Sequence, residues 1–192
     1  MSKKLYVYMD DVLFTSDEKT VLITKGVTTC IAFIVQGSFW DEENDKIHFC
    51  GLYHWSGFKN VNRTQDQQAK DTLLNFFKKL RNYAGIDDED EITIDVLYFI
   101  GGEKEQCDSD DEILVSGTEA EVNSLQKAVK GFNFAAHQFK IAPENIHHQH
   151  FLTEGEQSIS IQLTLDAIDC KIKSPAPGDA FDNEVTPNLG MQ

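Results

Sequence analysis

The sequence predicts an α+β fold with a mixed, largely antiparallel β-sheet core, layered or sandwiched, flanked by two long amphipathic helices. Several strand-like runs follow one another before the first helical segment, whereas a doubly wound fold would alternate strands with helices. Two later segments space their apolar residues at the helical period of about 3.6. Strand-like alternation then returns at Ser158–Leu165, so strands are predicted on both sides of the helices in the chain.

The first third of the chain contains four predicted strands. Leu5, Val7 and Met9 alternate with two tyrosines, which is the two-residue period of a strand. The other three runs are rich in β-branched and aromatic residues: Val21–Thr24, Cys30–Val35 and Ile47–Trp55. We interpret Gly37–Asp45 as the connection of a long hairpin, which makes the last two strands antiparallel neighbours.

The first helix is predicted over residues 64–85. Its apolar residues form one stripe: Ala69, Leu73, Phe76, Phe77, Leu80 and Ala84. Thr64 or Asp66 can cap its start, because short polar side chains accept hydrogen bonds from the free amides of a first turn. Gly85 stands where a glycine commonly ends a helix.

The second helix is predicted to begin near Thr118. Thr118 and Glu121 have the spacing of a capping box, in which each side chain binds the other residue's free backbone amide. Its apolar stripe consists of Val122, Leu125, Ala128, Val129 and Phe132. The two helices therefore each present one apolar face to a core.

Between the helices, Ile92–Ile100 predicts a buried strand that ends at a Gly-Gly pair. Three further runs are compatible with short strands: Glu112–Ser116, Phe134–Ile141 and Ile168–Lys173. Residues 174–192 hold three of the four prolines and few large apolar side chains. We therefore predict a single domain over residues 1–173 and a disordered tail over residues 174–192.

The net charge of −15, from 17 basic and 32 acidic residues, excludes one broad class of function. A nucleic-acid binder needs a cationic surface that displaces phosphate counterions, and this chain has the opposite balance. Residues 87–112 hold twelve acids and one lysine, which accounts for −11 of the total. Eleven of these acids form two runs, over residues 87–91 and 103–112, at opposite ends of the predicted strand between them. The two acidic runs are either solubilising loops or a surface that steers a basic protein partner.

Compartment and membrane association are predicted from the absence of signals. No run of the sequence is apolar enough to insert into a membrane, and the N-terminus lacks the apolar core of a signal peptide. The four cysteines form no CxxC pair, which argues against a zinc ribbon. We expect a cytoplasmic protein with free thiols, although export by a specialised secretion system into another cell fits the same sequence.

Cys30 is the sharpest candidate for chemistry. It opens an apolar strand directly after a polar segment, so the sheet can support its thiol while a substrate reaches it. Antiparallel pairing of the predicted hairpin can bring His54 beside it, which makes a nucleophile and base pair. Thr24 is close enough in sequence to hold the imidazole in one tautomer. The alternatives are a small buried cysteine, an ordinary strand histidine, or a disulfide between Cys30 and Cys50.

The stretch that leads into this strand resembles the signature of the chemoreceptor glutamine deamidases, the CheD family. Thr24, Gly26 and Cys30 fall in register with the family's Thr, Gly and Cys, and Thr29 stands where the family usually has Ser. His54 lies in a strand similar to the family's histidine strand. The same order of helix, Gly-Gly strand and second helix follows, so the resemblance covers roughly residues 20–173.

The resemblance implies a CheD-like fold and a cysteine-dependent protein-glutamine deamidase. Such an enzyme converts a glutamine side chain of a protein substrate to glutamate and releases ammonia. Cys30 would attack the carboxamide, His54 would transfer protons, and Thr24 would orient His54. Backbone amides near Thr29 and Cys30 would hold the oxyanion. No metal and no other cofactor is implied.

Three departures from the family pattern concern segments that shape substrate contact. The connection between Cys30 and His54 is longer, Trp55-Ser-Gly57 replaces a Met-Leu-Pro run, and an Asp-x-Gly-Gly segment is absent. We therefore expect a substrate other than a chemoreceptor, and the Cys-His core is also similar to toxin deamidases of the cytotoxic necrotizing factor type. Two alternatives stay open: a non-catalytic binding or regulatory protein, and a related thiol hydrolase or transglutaminase.

A histidine cluster in the last third of the chain is the rival candidate site. Its members are His137, His147, His148 and His150. In a strand, the side chains of His148 and His150 would share one face and could bind a transition metal. No cysteine lies near them in the sequence, so we interpret the segment as a solvated loop without a metal.

Overall fold

The computed structural model describes residues 2–87, 89–153, 157–173 and 184–185. Its two α-helices are α1 (Gln65–Ala84) and α2 (Glu119–Lys130). The strands are β1 (Lys3–Tyr6), β2 (Val12–Thr15), β3 (Thr20–Val27), β4 (Ile31–Trp40), β5 (Lys46–Trp55), β6 (Ile92–Gly101), β7 (Gln106–Cys107), β8 (Ile113–Val115), β9 (Phe139–Ile141), β10 (Ile146–His150), β11 (Ser158–Leu163), β12 (Ile168–Lys173) and β13 (Glu184–Val185). Two single-turn 3₁₀ helices, Ala135–His137 and Pro143–Asn145, flank β9. The predicted α+β class is confirmed.

The strands form two large sheets and one small hairpin. The five-stranded sheet has the order β1-β3-β11-β12-β13, and the six-stranded sheet has the order β10-β6-β4-β5-β2, with β9 also paired to β6. Most neighbours are antiparallel, while β1 with β3, β10 with β6 and β9 with β6 are parallel. Strands β7 and β8 pair only with each other. The sheets are therefore mixed and largely antiparallel, as the sequence predicts.

The six-stranded sheet is the middle layer of the molecule. One of its faces packs on both helices, in a core that includes Phe33, Phe76 and Phe99. Its other face packs on the five-stranded sheet, in a second core that includes Ile34 and Ile161. Because successive side chains of a strand point to opposite faces, β4 must be apolar at nearly every position to serve both cores.

Helix α1 has the ends that the sequence predicts. The Thr64 hydroxyl accepts a hydrogen bond from the backbone amide of Gln67, and Gly85 ends the helix with φ of 66°. The buried residues of α1 are Ala69, Leu73, Phe76, Phe77 and Leu80. This is the predicted apolar stripe, and it covers the helix-facing side of the six-stranded sheet.

The predicted capping box of α2 is wrong. The helix does follow Thr118, but the Thr118 side chain makes no capping hydrogen bond to it. Instead the Thr118 hydroxyl accepts a hydrogen bond from the backbone amide of Glu103, 2.8 Å away. A tertiary contact with the segment after β6 has taken the oxygen that the local motif would have used.

The predicted connection Gly37–Asp45 is too long. Strand β4 continues to Trp40, so the turn covers only residues 41–45. A Cβ atom on Gly37 would clash with the backbone oxygen of Thr93 on β6, where the pairing of β4 and β6 shifts register. Gly37 therefore marks a close approach of two backbones inside the sheet rather than a turn.

The N-terminal end of the chain differs from the sequence-based expectation. The alternation through Met9 predicts one strand, yet β1 ends at Tyr6 and the chain then leaves the five-stranded sheet for the six-stranded one. The predicted disordered tail, residues 174–192, lies outside the described residues except for Glu184–Val185, which pair with β12.

In the described part of the chain, no helix is long and apolar enough to cross a membrane.

Candidate active site

The three predicted site residues come from three different parts of the fold. Thr24 lies on β3 in the five-stranded sheet, and His54 lies on β5 in the six-stranded sheet. Cys30 is the last residue of the connection from β3 in the five-stranded sheet to β4 in the six-stranded sheet. All three are buried, with 1%, 3% and 7% of Thr24, His54 and Cys30 exposed.

Cys30 and His54 share one face of the six-stranded sheet. His54 pairs with Ala32 on β4, and Cys30 precedes Ala32 by two residues. Since side chains two positions apart point the same way, the Cys30 side chain lies on the face of Ala32 and His54, toward the five-stranded sheet. Cys30 and Ala32 indeed belong to the core between the two sheets. Residues in this diagonal relation are within reach of long side chains.

Thr24 bonds to the histidine from the opposite sheet. Its Oγ1 lies 2.7 Å from His54 Nδ1 and 2.9 Å from the carbonyl oxygen of Val7. A hydroxyl has one proton, and only a donor can satisfy the Val7 carbonyl. Thr24 therefore donates to Val7 and accepts from His54 Nδ1–H, which leaves Nε2 of the neutral ring as a proton acceptor.

The free ring nitrogen is the feature that a simple core histidine would lack. His54 Nε2 is buried and has no hydrogen-bond partner among the described residues. A buried polar atom without a partner is destabilising by about 1–3 kcal/mol, so proteins rarely keep one without a use for it. Here the unpartnered atom is the one that the Thr24 bond prepares to take a proton.

Burial keeps both members of the pair uncharged. It raises the pKa of the Cys30 thiol, an effect that the Asp10 carboxylate increases and the Thr29 hydroxyl reduces. It lowers the pKa of the His54 imidazole, although Asp10 acts there in the opposite direction. These directions favour a thiol and a neutral imidazole at neutral pH, so formation of a thiolate would need a base that takes the proton.

A Gly-Gly pair holds the backbone next to the thiol. The amide of Gly102 donates a 2.8 Å hydrogen bond to the carbonyl oxygen of Cys30. Gly101 has φ of 115°, and a Cβ atom there would clash with the same Cys30 carbonyl oxygen. Glycine is required at Gly101 by both conformation and space, so the end of β6 fixes the backbone of the candidate nucleophile.

No family model matches the chain, and no curated protein matches it.

Asp10 is a residue of the site that the sequence analysis missed. Its backbone amide donates a 2.6 Å hydrogen bond to the His54 carbonyl oxygen. Its carboxylate binds Ser56 and Lys59. The sequence does indicate a turn at this place, because the pair Asp10-Asp11 directly follows an alternating run. Aspartates favour turns and tolerate the left-handed conformation.

The alternative of a disulfide between Cys30 and Cys50 is excluded by the pairing of β4 and β5. All four cysteines are free, and Cys50 pairs with Gln36 on β4. Cys30 lies six residues before Gln36, which corresponds to about 20 Å along a strand. A disulfide joins two cysteines whose Cα atoms are about 4.4–6.8 Å apart, so this register excludes a Cys30–Cys50 bond.

The histidine segment is a strand, so its interpretation as a loop is wrong. It forms β10, which pairs with β6. As the alternative predicts, His148 and His150 share a face, with His148 Nδ1 3.3 Å from His150 Nε2. His150 Nδ1 in turn lies 2.9 Å from the Gly101 carbonyl oxygen. Among the described residues no group of three or more His, Cys, Asp and Glu side chains could hold a metal ion.

A surface cleft of about 260 Å³ lies on the other side of the six-stranded sheet, between α1 and the segment after β5. Tyr53 and Trp55 contribute to its wall, and they flank His54 on β5 with side chains that point away from it. Asp10 also lines the cleft. Neither Cys30 nor His54 lines it, so the cleft is not the candidate active site.

Proposed function

We propose that the protein is a cysteine-dependent protein-glutamine deamidase. One observation carries the proposal: the Thr24 bond leaves His54 Nε2 as a buried, unpartnered proton acceptor on the face that also holds Cys30. The shared face thus holds a thiol and a base that a third group orients, which are components that nucleophilic attack by a thiol needs. The choice of glutamine as the reacting group comes from the resemblance to the CheD family.

In the first half of the proposed reaction, Cys30 forms a thioester. His54 Nε2 takes the thiol proton while Sγ attacks the carboxamide carbon of a glutamine side chain. The bond between that carbon and the amide nitrogen then breaks, and His54 returns the proton to the departing ammonia. The raised pKa of Cys30 and the lowered pKa of His54 favour such a concerted transfer over a preformed ion pair.

Two backbone amides are suited to the oxyanion that forms during attack. Thr29 is exposed, and it directly precedes Cys30 at the start of β4. Among the described residues, the amides of Thr29 and Cys30 donate no hydrogen bond to another residue. Amide donors without partners stabilise a developing negative charge without first giving up other bonds.

The second half of the reaction hydrolyses the thioester. His54, neutral again after it has given its proton to the leaving amide nitrogen, takes a proton from water, and the oxygen attacks the thioester carbon. The carbon–sulfur bond breaks, the thiol regains its proton from His54, and the product is glutamate. Because a thiol nucleophile must stay reduced, we place the activity in the cytoplasm of the protein's own cell or of a cell that receives it.

The proposed substrate is a protein with a basic surface near its reactive glutamine. The second acidic run begins directly after Gly102, which binds the Cys30 backbone, and it continues through the β7–β8 hairpin. The exposed carboxylates at the tip of this hairpin are those of Asp110, Asp111 and Glu112. Negative charge close to the nucleophile would accelerate encounter with a positively charged protein.

The test measures ammonia release from two unfolded proteins that contain glutamine, reduced and alkylated lysozyme, which is basic, and β-casein, which is acidic. Mass spectrometry then locates any glutamine converted to glutamate. The site variants are Cys30→Ala and His54→Ala. His48→Ala is the matched control for His54, because His48 is an exposed residue on the same face of the same strand.

We expect ammonia from the wild type and His48→Ala, and none above background from Cys30→Ala and His54→Ala. No ammonia from either probe would contradict the deamidase. If a fluorescent primary amine becomes attached to the probes instead, the protein is a transglutaminase. A partner complex that survives both site substitutions, without any ammonia, would favour the non-catalytic binding protein.

A further inference from the structure

Residues 7–11 form a connection, here called the strap, which carries the chain from β1 to β2 and thus from one sheet to the other. Its first residue, Val7, is buried and donates its backbone amide to the Ile23 carbonyl oxygen at 2.8 Å. The Val7 carbonyl oxygen receives the proton of the Thr24 hydroxyl. The start of the strap therefore decides which way the Thr24 hydroxyl points.

The end of the strap pairs with the backbone of His54. The Asp10 amide donates to the His54 carbonyl oxygen at 2.6 Å, and the His54 amide donates to the Asp11 carbonyl oxygen at 3.2 Å. Between the two contacts, the Asp11 amide bonds to the Tyr8 carbonyl oxygen at 2.9 Å and closes a turn. One short segment thus holds both partners of the bond between Thr24 and His54.

Asp10 is fixed in this turn by its backbone and by its side chain. Its φ of 64° lies in the left-handed region, which aspartate tolerates better than most residues. Its carboxylate accepts bonds from the Ser56 amide at 3.2 Å and the Ser56 hydroxyl at 2.9 Å, and it pairs with the Lys59 ammonium. Burial alone would raise the pKa of Asp10, but these bonds outweigh it and lower that pKa.

We propose that Asp10 is a positioning residue for His54: it anchors the strap, and the strap keeps the imidazole in the tautomer with a proton on Nδ1 and a free Nε2. The catalytic importance of this role rests on the proposed function. The effect on the His54 tautomer does not, since it follows from the hydrogen bonds of Val7, Thr24 and Asp10.

The charge of Asp10 gives the proposal a second, independent signature. Burial has the largest effect on the pKa of each site residue, and the Asp10 carboxylate has the second largest. The carboxylate raises the pKa of Cys30 and of His54. Loss of this charge should therefore move the pH profile of Cys30 alkylation to lower pH. Loss of the Lys59 ammonium, which partly neutralises Asp10, should move it to higher pH.

The test uses Asp10→Ala, Asp10→Asn, Asp10→Gly and Lys59→Met. Asp11→Asn is the matched control, because Asp11 is exposed and contacts His54 only through its backbone. All proteins carry Cys107→Ser, which removes the exposed thiol. Two properties are measured: the ¹⁵N shifts of the His54 ring, which report its tautomer, and the iodoacetamide alkylation rate of Cys30 against pH, followed by peptide mass spectrometry.

We expect His54 to be a single Nδ1–H tautomer in the Cys107→Ser parent, Asp11→Asn and Asp10→Asn, whose amide can still bind Ser56. Asp10→Ala should give a tautomer mixture. Compared with Asp10→Asn, which lacks the same charge, its Cys30 alkylation at neutral pH should be roughly ten- to hundredfold slower, because small misplacements of a base have effects of this size. The profiles of Asp10→Asn and Lys59→Met should move in opposite directions.

A single Nδ1–H tautomer in Asp10→Ala would overturn the proposal whatever its alkylation profile, because loss of the charge alone moves that profile. If Asp10→Ala does not fold, Asp10→Gly decides, since glycine keeps the left-handed conformation and loses only the carboxylate anchor. The two proposals fail separately. If Asp10→Ala changes the His54 tautomer but the wild type releases no ammonia, the positioning role stands and the deamidase is contradicted. If the wild type releases ammonia but Asp10→Ala keeps the tautomer, the deamidase stands and the positioning role is contradicted.

Discussion

Thr24 Oγ1 and His54 Nδ1 lie 2.7 Å apart although the two residues belong to different sheets. The bond joins the two sheets beside the strap, the segment in which the chain passes from the five-stranded sheet to the six-stranded sheet. Since Thr24 gives its only proton to Val7, the geometry fixes the histidine tautomer and not only its position.

Replacement of the Thr24 hydroxyl should uncouple His54 from the five-stranded sheet. Thr24→Val keeps the side-chain shape, but it leaves the Nδ1 proton and the Val7 carbonyl without a partner, and should destabilise the fold by about 1–3 kcal/mol. We expect ammonia release to fall at least tenfold. Thr24→Ser, which restores the hydroxyl, should recover most of both losses. Denaturant unfolding and ammonia assays measure them, and equal activity in Thr24→Val and wild type would contradict an orienting role.

The pH dependence of activity should have an acid limb below pH 6.5. His54 must be neutral to accept the thiol proton, and burial lowers its pKa from the ordinary 6.5. Activity should therefore persist as the pH falls through 6.5 and decline only when His54 becomes protonated. The pH profile of kcat/KM measures this limb. A limb above pH 6.5 would mean that another group acts as the base.

Stability should also decline in acid, and His148 contributes to this decline. Burial and the neighbouring His150 and His147 lower the pKa of His148 from 6.5 to about 4. The unfolded chain thus binds a proton more readily than the folded one, so the free energy of unfolding is highest above pH 6.5 and falls toward pH 4. After solvent screening we expect a loss of roughly 1–2 kcal/mol. His148→Phe, which keeps the stacking on Phe99, should remove this part of the acid sensitivity in urea titrations.

Gly101→Ala should damage both the fold and the thiol. The new methyl group would clash with the Cys30 carbonyl oxygen and would also require a left-handed conformation that alanine disfavours. Gly85→Ala is the control, because Gly85 has φ of 66° but open space around it. We expect about 1 kcal/mol of destabilisation for Gly85→Ala and clearly more for Gly101→Ala. Cys30 alkylation should change only in Gly101→Ala, and an equal response of the two variants would show that the close approach is unimportant.

The four thiols should react in a definite order. Cys107 is exposed and should be alkylated first. Burial raises the pKa of Cys50 to about 12 and that of Cys170 to about 11, so both should stay unlabelled in the folded protein. At neutral pH, alkylation of Cys30 should depend on His54, and the difference between wild type and His54→Ala should vanish at high pH. Peptide mass spectrometry follows each site, and rapid labelling of Cys50 would contradict its burial.

The acidic hairpin should favour a basic substrate through long-range attraction. Asp110→Asn combined with Glu112→Gln should lower kcat/KM on the lysozyme probe and leave kcat nearly unchanged. The same loss should appear in wild type as salt is raised, since exposed charges are screened over about 10 Å at 0.1 M. The control is Glu42→Gln with Glu43→Gln, in the turn at the opposite end of β4 from Cys30. Equal effects of both pairs would mean that only the net charge matters.

Local pattern was sufficient for much of the fold and for the choice of the candidate site residues. The stripe of α1, the apolar run of β4 and the Gly-Gly end of β6 each reflect periodicity or backbone conformation within a few residues. Such patterns could not reveal that Gly37 lies inside a strand, because the cause is the Thr93 backbone of another strand. For the same reason the Thr118 hydroxyl binds Glu103 and not its own helix.

The sequence by itself determined the α+β class, the two helices and Cys30, Thr24 and His54 as the residues to examine, because these depend on short-range pattern and on residue chemistry. Only the tertiary structure decided which sheet each residue belongs to, which nitrogen of His54 is free, and that Asp10 anchors the connection between the sheets. The physical reason is that hydrogen bonds between distant segments are set by how the sheets pack. No periodicity within one segment records that packing.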